Sequence, residues 1–93
     1  MPRLLSARAV AEGLRALKGW KCEGAFLTKT FEFKTFVEAI RFVDRVAEVA
    51  EEQEHHPDIG VRYNVVKLSL QTHSEGGVTK WDLDLAKAID SLA

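Results

Sequence analysis

Apolar residues recur along this 93-residue chain with two periods, and each period predicts an element. Val10, Leu14 and Leu17 stand at i, i+4 and i+7 with Ser6 ahead of them as an N-cap, so the spacing predicts a short amphipathic helix over 7–18, stopped by Gly19. From Trp20 to Phe33 apolar and polar positions alternate about a Glu23-Gly24 turn. Ala25, Leu27, Phe31 and Phe33 fall on one side and Thr28, Thr30 and Glu32 on the other, which predicts a hairpin. Thr35 and Glu38 have the T-x-x-E spacing of a capping box, and no Gly or Pro interrupts 36–52, so the longest helix belongs there.

Wound at 100° per residue, that helix gathers Glu38, Arg41, Asp44, Arg45, Glu48, Glu51 and Glu52 into one arc. The opposite arc holds Phe36, Ile40, Val43, Ala47 and Ala50, and widens through Ala39 and Val46 to Phe42 and Val49. It covers about half the circumference, whereas packing on a sheet needs a stripe of roughly 100°. Phe42, Val46 and Val49 are therefore expected to meet either the first helix or a second subunit, with the subunit preferred.

Pro57 closes the helical region by forcing the preceding residue out of the α basin. A second hairpin is expected after it, with Tyr63-Asn64 as the tight turn, because Asn tolerates positive φ. Val66, Leu68, Leu70 and Thr72 alternate with Lys67, Ser69 and Gln71, so one face of the sheet is packed and the other wet. Gly76-Gly77 breaks the chain, and Thr79 with Asp82 caps a last helix striped by Trp81, Leu85, Ala88, Ile89 and Leu92. The order α-β-β-α-β-β-α, with a half-wet sheet, predicts an α+β two-layer sandwich on an antiparallel sheet.

Composition narrows the functional classes. With 46% hydrophobic and 29% charged residues the chain reads as one globular domain over 1–93. A chain this small is marginal alone, which favours self-association. Thirteen Lys and Arg against fourteen Asp and Glu leave a net charge of −1, no electrostatic footprint for nucleic acid. Charges interrupt every stretch long enough to span a membrane, and Arg8, Glu12 and Arg15 break up any signal-peptide core. One cysteine, Cys22, excludes an internal disulfide. These features predict a cytoplasmic protein.

The three histidines, His55, His56 and His73, all lie within nineteen residues. Imidazole both gives and accepts protons near neutral pH, so their clustering points to acid/base chemistry, against the plainer reading of a polar helix-to-strand turn. No metal is expected, because adjacent side chains diverge and Cys22 lies in a distant hairpin. Cys22 itself carries no mark of activation and reads as a buried structural residue. Glu51 stands one turn before His55 and shares its face if the helix runs that far. Asp82 serves a capping box without being excluded from binding. Trp20 and Trp81 fall in apolar patterns and read as core.

Glu51, His55-His56-Pro57, Tyr63, His73 and Asp82, at these spacings, resemble the signature of the pterin-4a-carbinolamine dehydratases. Trp20, Phe33-Lys34-Thr35-Phe36, Tyr63-Asn64, Thr72-His73 and Gly77-Val78-Thr79 extend the resemblance over nearly the whole chain. Ile59-Gly60 departs from it, since some relatives carry an aromatic residue there. The resemblance implies a four-stranded antiparallel sheet with three helices on one face. It also implies dimers joined at the sheet edge, and tetramers through the long helix at Phe42, Val46 and Val49. The implied reaction is loss of water from a 4a-hydroxytetrahydropterin to give quinonoid dihydropterin, the recycling step after aromatic amino-acid hydroxylation, without a cofactor. His55 and His73 are then the acid/base pair and His56 a pterin-binding residue or auxiliary acid. Glu51 touches the pterin or orients a histidine, Asp82 tunes His73, and Pro57 and Trp20 complete the pocket. The alternative implied function is an interaction module, because animal relatives also serve as a dimerisation cofactor of a homeodomain transcription factor.

Overall fold

The computed structural model describes residues 2–93. Its elements run in the order α1 (Ala7–Leu14), β1 (Lys21–Glu23), β2 (Phe26–Glu32), α2 (Phe36–Gln53), β3 (Asp58–Arg62), β4 (Val65–Leu70) and α3 (Lys80–Asp90), with a 3-10 turn at His73–Glu75 before α3. The strands form one antiparallel sheet in the order β1-β2-β4-β3. This is the α+β arrangement that the alternation of periods predicts.

Local chemistry sets most boundaries. Ser6 Oγ accepts from the Ala9 N–H at the start of α1, and Thr35 Oγ1 accepts from the Glu38 N–H at the start of α2. Gly19, with φ of 85°, lets the chain turn from α1 into β1. The β3–β4 turn differs from expectation in one detail. Its left-handed residue is Tyr63, with φ of 54°, and Asn64 does another job. The Asn64 side-chain amide donates to the Phe33 carbonyl at 2.6 Å and the Asn64 backbone carbonyl accepts from the Phe33 N–H at 2.8 Å, fastening the turn to the end of β2.

Register decides which side of the sheet is covered. Leu27 pairs with Leu70 and Phe31 with Val66, so these residues, with Leu68, share the face under the helices. Thr30 and Lys67 lie opposite each other on the open face. Val10 and Leu17 of the N-terminal region, Ala39, Phe42 and Val46 of α2, and Leu85, Ala86 and Ile89 of α3 complete one core cluster.

The α2 surface corrects the expectation for the long helix. Phe42 is 4% exposed and Val46 fully buried, with the Phe42 ring centroid 4.7 Å from that of Phe31 and 5.0 Å from that of Phe33. Val49 packs partly against the same cluster. Phe36 and Val37 are the large apolar residues of α2 left outside, at 49% and 54% exposure. The apolar arc is wider than the sheet can cover, as the pattern showed, but the sheet takes the Ala39–Phe42–Val46–Ala50 edge of it. No described helix is long and apolar enough to cross a membrane.

Candidate active site

Asp82 is the third residue of α3, and the sequence makes it a cap before it makes it anything else. Thr79, the N-cap, has extended backbone; its Oγ1 accepts from the Trp81 N–H at 3.2 Å, and its own N–H donates to Asp82 Oδ2 at 2.8 Å. This reciprocal pairing bends the carboxylate back over the helix N-terminus, where the helix dipole favours negative charge. The isolated bridge Thr72–Gly77 holds the end of the β4 extension beside the same N-terminus. The Thr72 hydroxyl thereby reaches Asp82 Oδ2 at 2.8 Å and Thr79 Oγ1 at 2.6 Å. Thr72, Thr79 and Asp82 are all buried.

The remaining oxygen of Asp82 faces α2. Glu54 caps that helix in the left-handed conformation, with φ of 51° and ψ of 41°, and the His55 N–H donates back to the Ala50 carbonyl at 3.0 Å. The chain leaves the helix axis at that point. His55 turns inward, its ring only 11% exposed, and places Nε2 2.6 Å from Asp82 Oδ1. His56 turns outward and its Nε2 pairs with Glu51 Oε2, both side chains being well exposed.

The histidine partners differ from those the spacing suggested. Glu51 orients His56 and not His55, because α2 ends at Gln53 and the alignment of Glu51 with His55 needs another half turn of helix. Asp82 bonds to His55, whereas the resemblance ties it to His73. His73 stands exposed in the 3-10 turn, one residue from Thr72, so its backbone borders the Asp82 network. Pro57 is half-buried between His56 and β3. Trp20 is not brought to the histidines. It lies buried in the core, its ring N–H donating to Asp90 Oδ1 at 2.9 Å at the other end of α3, where Lys29 Nζ joins the same oxygen at 3.0 Å.

Two residues differ from their sequence reading. Trp81 is no core residue: it is 44% exposed, with its ring centroid 5.9 Å from that of His55 in an edge-on arrangement. Gln53, His55, Trp81 and Asp84 line a shallow cleft there. Its place four residues before the buried Leu85, in the apolar stripe of α3, concealed this. Cys22 is exposed on β1 and not buried. Thr72 is the site residue that sequence reasoning left without a role. Its signals were its place at the end of the alternating β4 run and the Thr72-His73 pair in the family resemblance.

A buried carboxylate that fixes a nearly buried imidazole, beside a second imidazole held by another carboxylate, is an arrangement whose chemistry suits proton transfer, set in a small α+β fold. The family model described as pterin 4 alpha carbinolamine dehydratase matches residues 3–92, and the chain belongs to that family. A protein of Thermomicrobium roseum provisionally named a pterin-4-alpha-carbinolamine dehydratase is 50% identical over 93 residues, covering 100% of this chain and 99% of its own. One of Sulfolobus acidocaldarius with the same provisional name is 46% identical over 88 residues, 95% of this chain and 97% of its own. The crystal structure of a transcriptional coactivator/pterin dehydratase from Brucella melitensis superposes with a TM-score of 0.93 at 39% identity, covering 98% of this chain and 99% of that one. A pterin dehydratase-like protein identified as a RuBisCO assembly factor in the alpha-carboxysome shares the fold, with a TM-score of 0.67 at 24% identity over 80% of this chain and 86% of that one.

Proposed function

We propose that this chain dehydrates a 4a-hydroxytetrahydropterin to quinonoid dihydropterin and water, in the recycling of tetrahydrobiopterin. The observation that carries this reading is the His55–Asp82 pair, which supplies an oriented imidazole in a chain of the carbinolamine dehydratase family. The reaction breaks the C4a–O bond, removes the proton from N5 and forms a C4a–N5 double bond. Water is the leaving product, and no electrons pass to an acceptor, so the chemistry requires no cofactor. It requires a proton delivered to the departing oxygen and another withdrawn from N5.

His55 and His73 are proposed as that acid/base pair, contributing about 10² to 10⁴-fold together. His56, steadied by Glu51, binds the pterin or assists as a second acid. Asp82 acts through His55, and Pro57 shapes the chain between His56 and β3. Trp20 is left out of the pocket, since its ring and its N–H are both engaged in the core. We place the reaction in the cytoplasm.

Self-association belongs to the same proposal. The apolar residues suited to it are Phe36 and Val37 on α2 and Ile59 and Val61 on the β3 edge, all exposed, in place of the buried Phe42 and Val46. Light scattering after size exclusion tests it: a Phe36→Glu, Val37→Glu double variant should yield a smaller species, and an unchanged mass would remove α2 from the interface.

The direct test is stopped-flow ultraviolet spectroscopy with 4a-hydroxytetrahydropterin generated in situ at pH 8. Acceleration by catalytic amounts of protein, lost in His55→Ala and His73→Ala, is the expected result. Folded protein without acceleration would overturn the reading. It would favour an interaction module, the role suggested by the coactivator description of the Brucella melitensis structure.

A further inference from the structure

The hydrogen bonds around Asp82 can be assigned a direction, and the direction reaches His55. Thr72 has one hydroxyl proton, and it goes to Asp82 Oδ2, 2.8 Å away. The 2.6 Å contact between Thr72 Oγ1 and Thr79 Oγ1 is therefore a donation from Thr79 into a Thr72 lone pair. Thr79 Oγ1 in turn accepts from the Trp81 N–H. The protons run one way, from Trp81 through Thr79 and Thr72 to Asp82. Oδ2 also accepts from the Thr79 N–H, so both of its contacts are incoming donors and it has nothing to donate to.

That leaves Oδ1 and His55 Nε2, 2.6 Å apart, to share one proton. As a carboxylate Asp82 only accepts, at Oδ2 from Thr72 and Thr79 and at Oδ1 from His55, so Nε2 carries the hydrogen. A neutral imidazole with Nε2–H has its lone pair on Nδ1. We infer that Nδ1 is the reactive nitrogen of His55, and that Thr72, which touches no reacting atom, is a positioning residue that sets this tautomer through Asp82. As a base, Nδ1 takes a substrate proton and the ring becomes an imidazolium, both of whose N–H groups then donate, one of them to Asp82. Thr72 fits this task because it comes from the sheet side while Asp82 comes from the helix, so the hydroxyl locks the carboxylate rotamer from outside its own capping box. The inference deepens the dehydratase reading, but its first test does not depend on that reading.

Long-range proton–nitrogen correlation spectra of ¹⁵N-labelled protein, recorded where the His55 ring is neutral, read the tautomer without substrate. The expected wild-type pattern is protonated Nε2 and bare Nδ1. A Nδ1–H pattern overturns the inference, whether or not any variant folds. Thr72→Val keeps the shape and removes the donor. It should give a mixture of tautomers and, in the dehydration assay, a kcat lowered about tenfold or more with KM nearly unchanged. Thr72→Ser should restore both. A folded Thr72→Val protein with the wild-type tautomer and kcat would remove Thr72 from the mechanism. Wild-type protein with the expected tautomer but no dehydration would sink the functional reading and leave the assignment of Nδ1 standing.

Discussion

His55 Nε2 lies 2.6 Å from Oδ1 of Asp82, a fully buried carboxylate 27 residues further along the chain. The contact joins the residue just beyond the cap of α2 to the third residue of α3. The same carboxylate closes the capping box of α3, so the helix cap and the candidate site share one side chain, and every substitution of Asp82 touches both.

Asp82→Asn should separate the two roles in part. The two donors at Oδ2 hold the amide oxygen in that place, which presents the amide NH₂ to His55 and forces Nε2 to accept. The tautomer inverts, and turnover should fall by about 10² to 10⁴-fold. Asp82→Ala instead leaves the Thr79 N–H, the Thr72 hydroxyl and His55 without their acceptor and should cost about 3 kcal/mol or more in urea unfolding. An Asn variant as unstable as the Ala variant would contradict this division.

The Glu51–His56 pair sits in water, both side chains more than half exposed. Such pairs contribute little to stability, so Glu51→Gln should shift the unfolding free energy by less than about 0.5 kcal/mol. Its expected effect is on KM for the pterin, through a less ordered His56 ring. A large stability loss would mean that the pair ties α2 to the chain beyond it.

Phe42 and Phe36 are six residues apart on α2 and meet different surroundings. Phe42→Ala empties a site between Phe31 and Phe33 and should cost about 3 to 5 kcal/mol. Phe36→Ala should cost the single chain less than about 1 kcal/mol, because the ring is half exposed. Urea unfolding of the two variants at low protein concentration checks both, and equal costs would show that the apolar arc of α2 faces the sheet at its other edge.

The open face of the sheet gives a pH dependence with a definite sign. The polar Thr28 side chain and the Lys67 ammonium, 3.1 Å from Glu23 Oε1, favour the charged carboxylate and hold Glu23 below its ordinary value of 4.5. Thr28 Oγ1 has no partner in full hydrogen-bond geometry, so its contribution is that of a nearby dipole, with Lys67 as the firm contact. A depressed folded value means that Glu23 adds stability above pH 4.5, which is lost as the pH falls through the folded value. Glu23→Gln should therefore lower stability slightly in the neutral region, leave it unchanged in strong acid, and so flatten the acid limb of the stability curve between them. The Glu23–Lys67 pair is open to solvent, so added salt should weaken the difference in the wild type.

The elements of this protein were legible in its sequence because each rests on neighbours within a few positions. Ser6, Thr35 and Thr79 cap helices through bonds to the next turn, Gly19 turns the chain at positive φ, and the alternation at 66–72 repeats with the pleat of β4. The histidines and carboxylates were legible as a set for a different reason, their spacing in a familiar signature. What pairs with what was not. An apolar arc of half a helix has two edges, and only the position of the sheet decides that Phe42 is buried and Phe36 is not. One left-handed residue, Glu54, turns His55 inward and His56 outward, and no propensity of Glu announces it. Thr72 and Asp82 meet because a strand end and a helix start are brought together by the Thr72–Gly77 bridge. Local hydrogen bonding wrote the elements, and long-range packing alone chose the partners at the site.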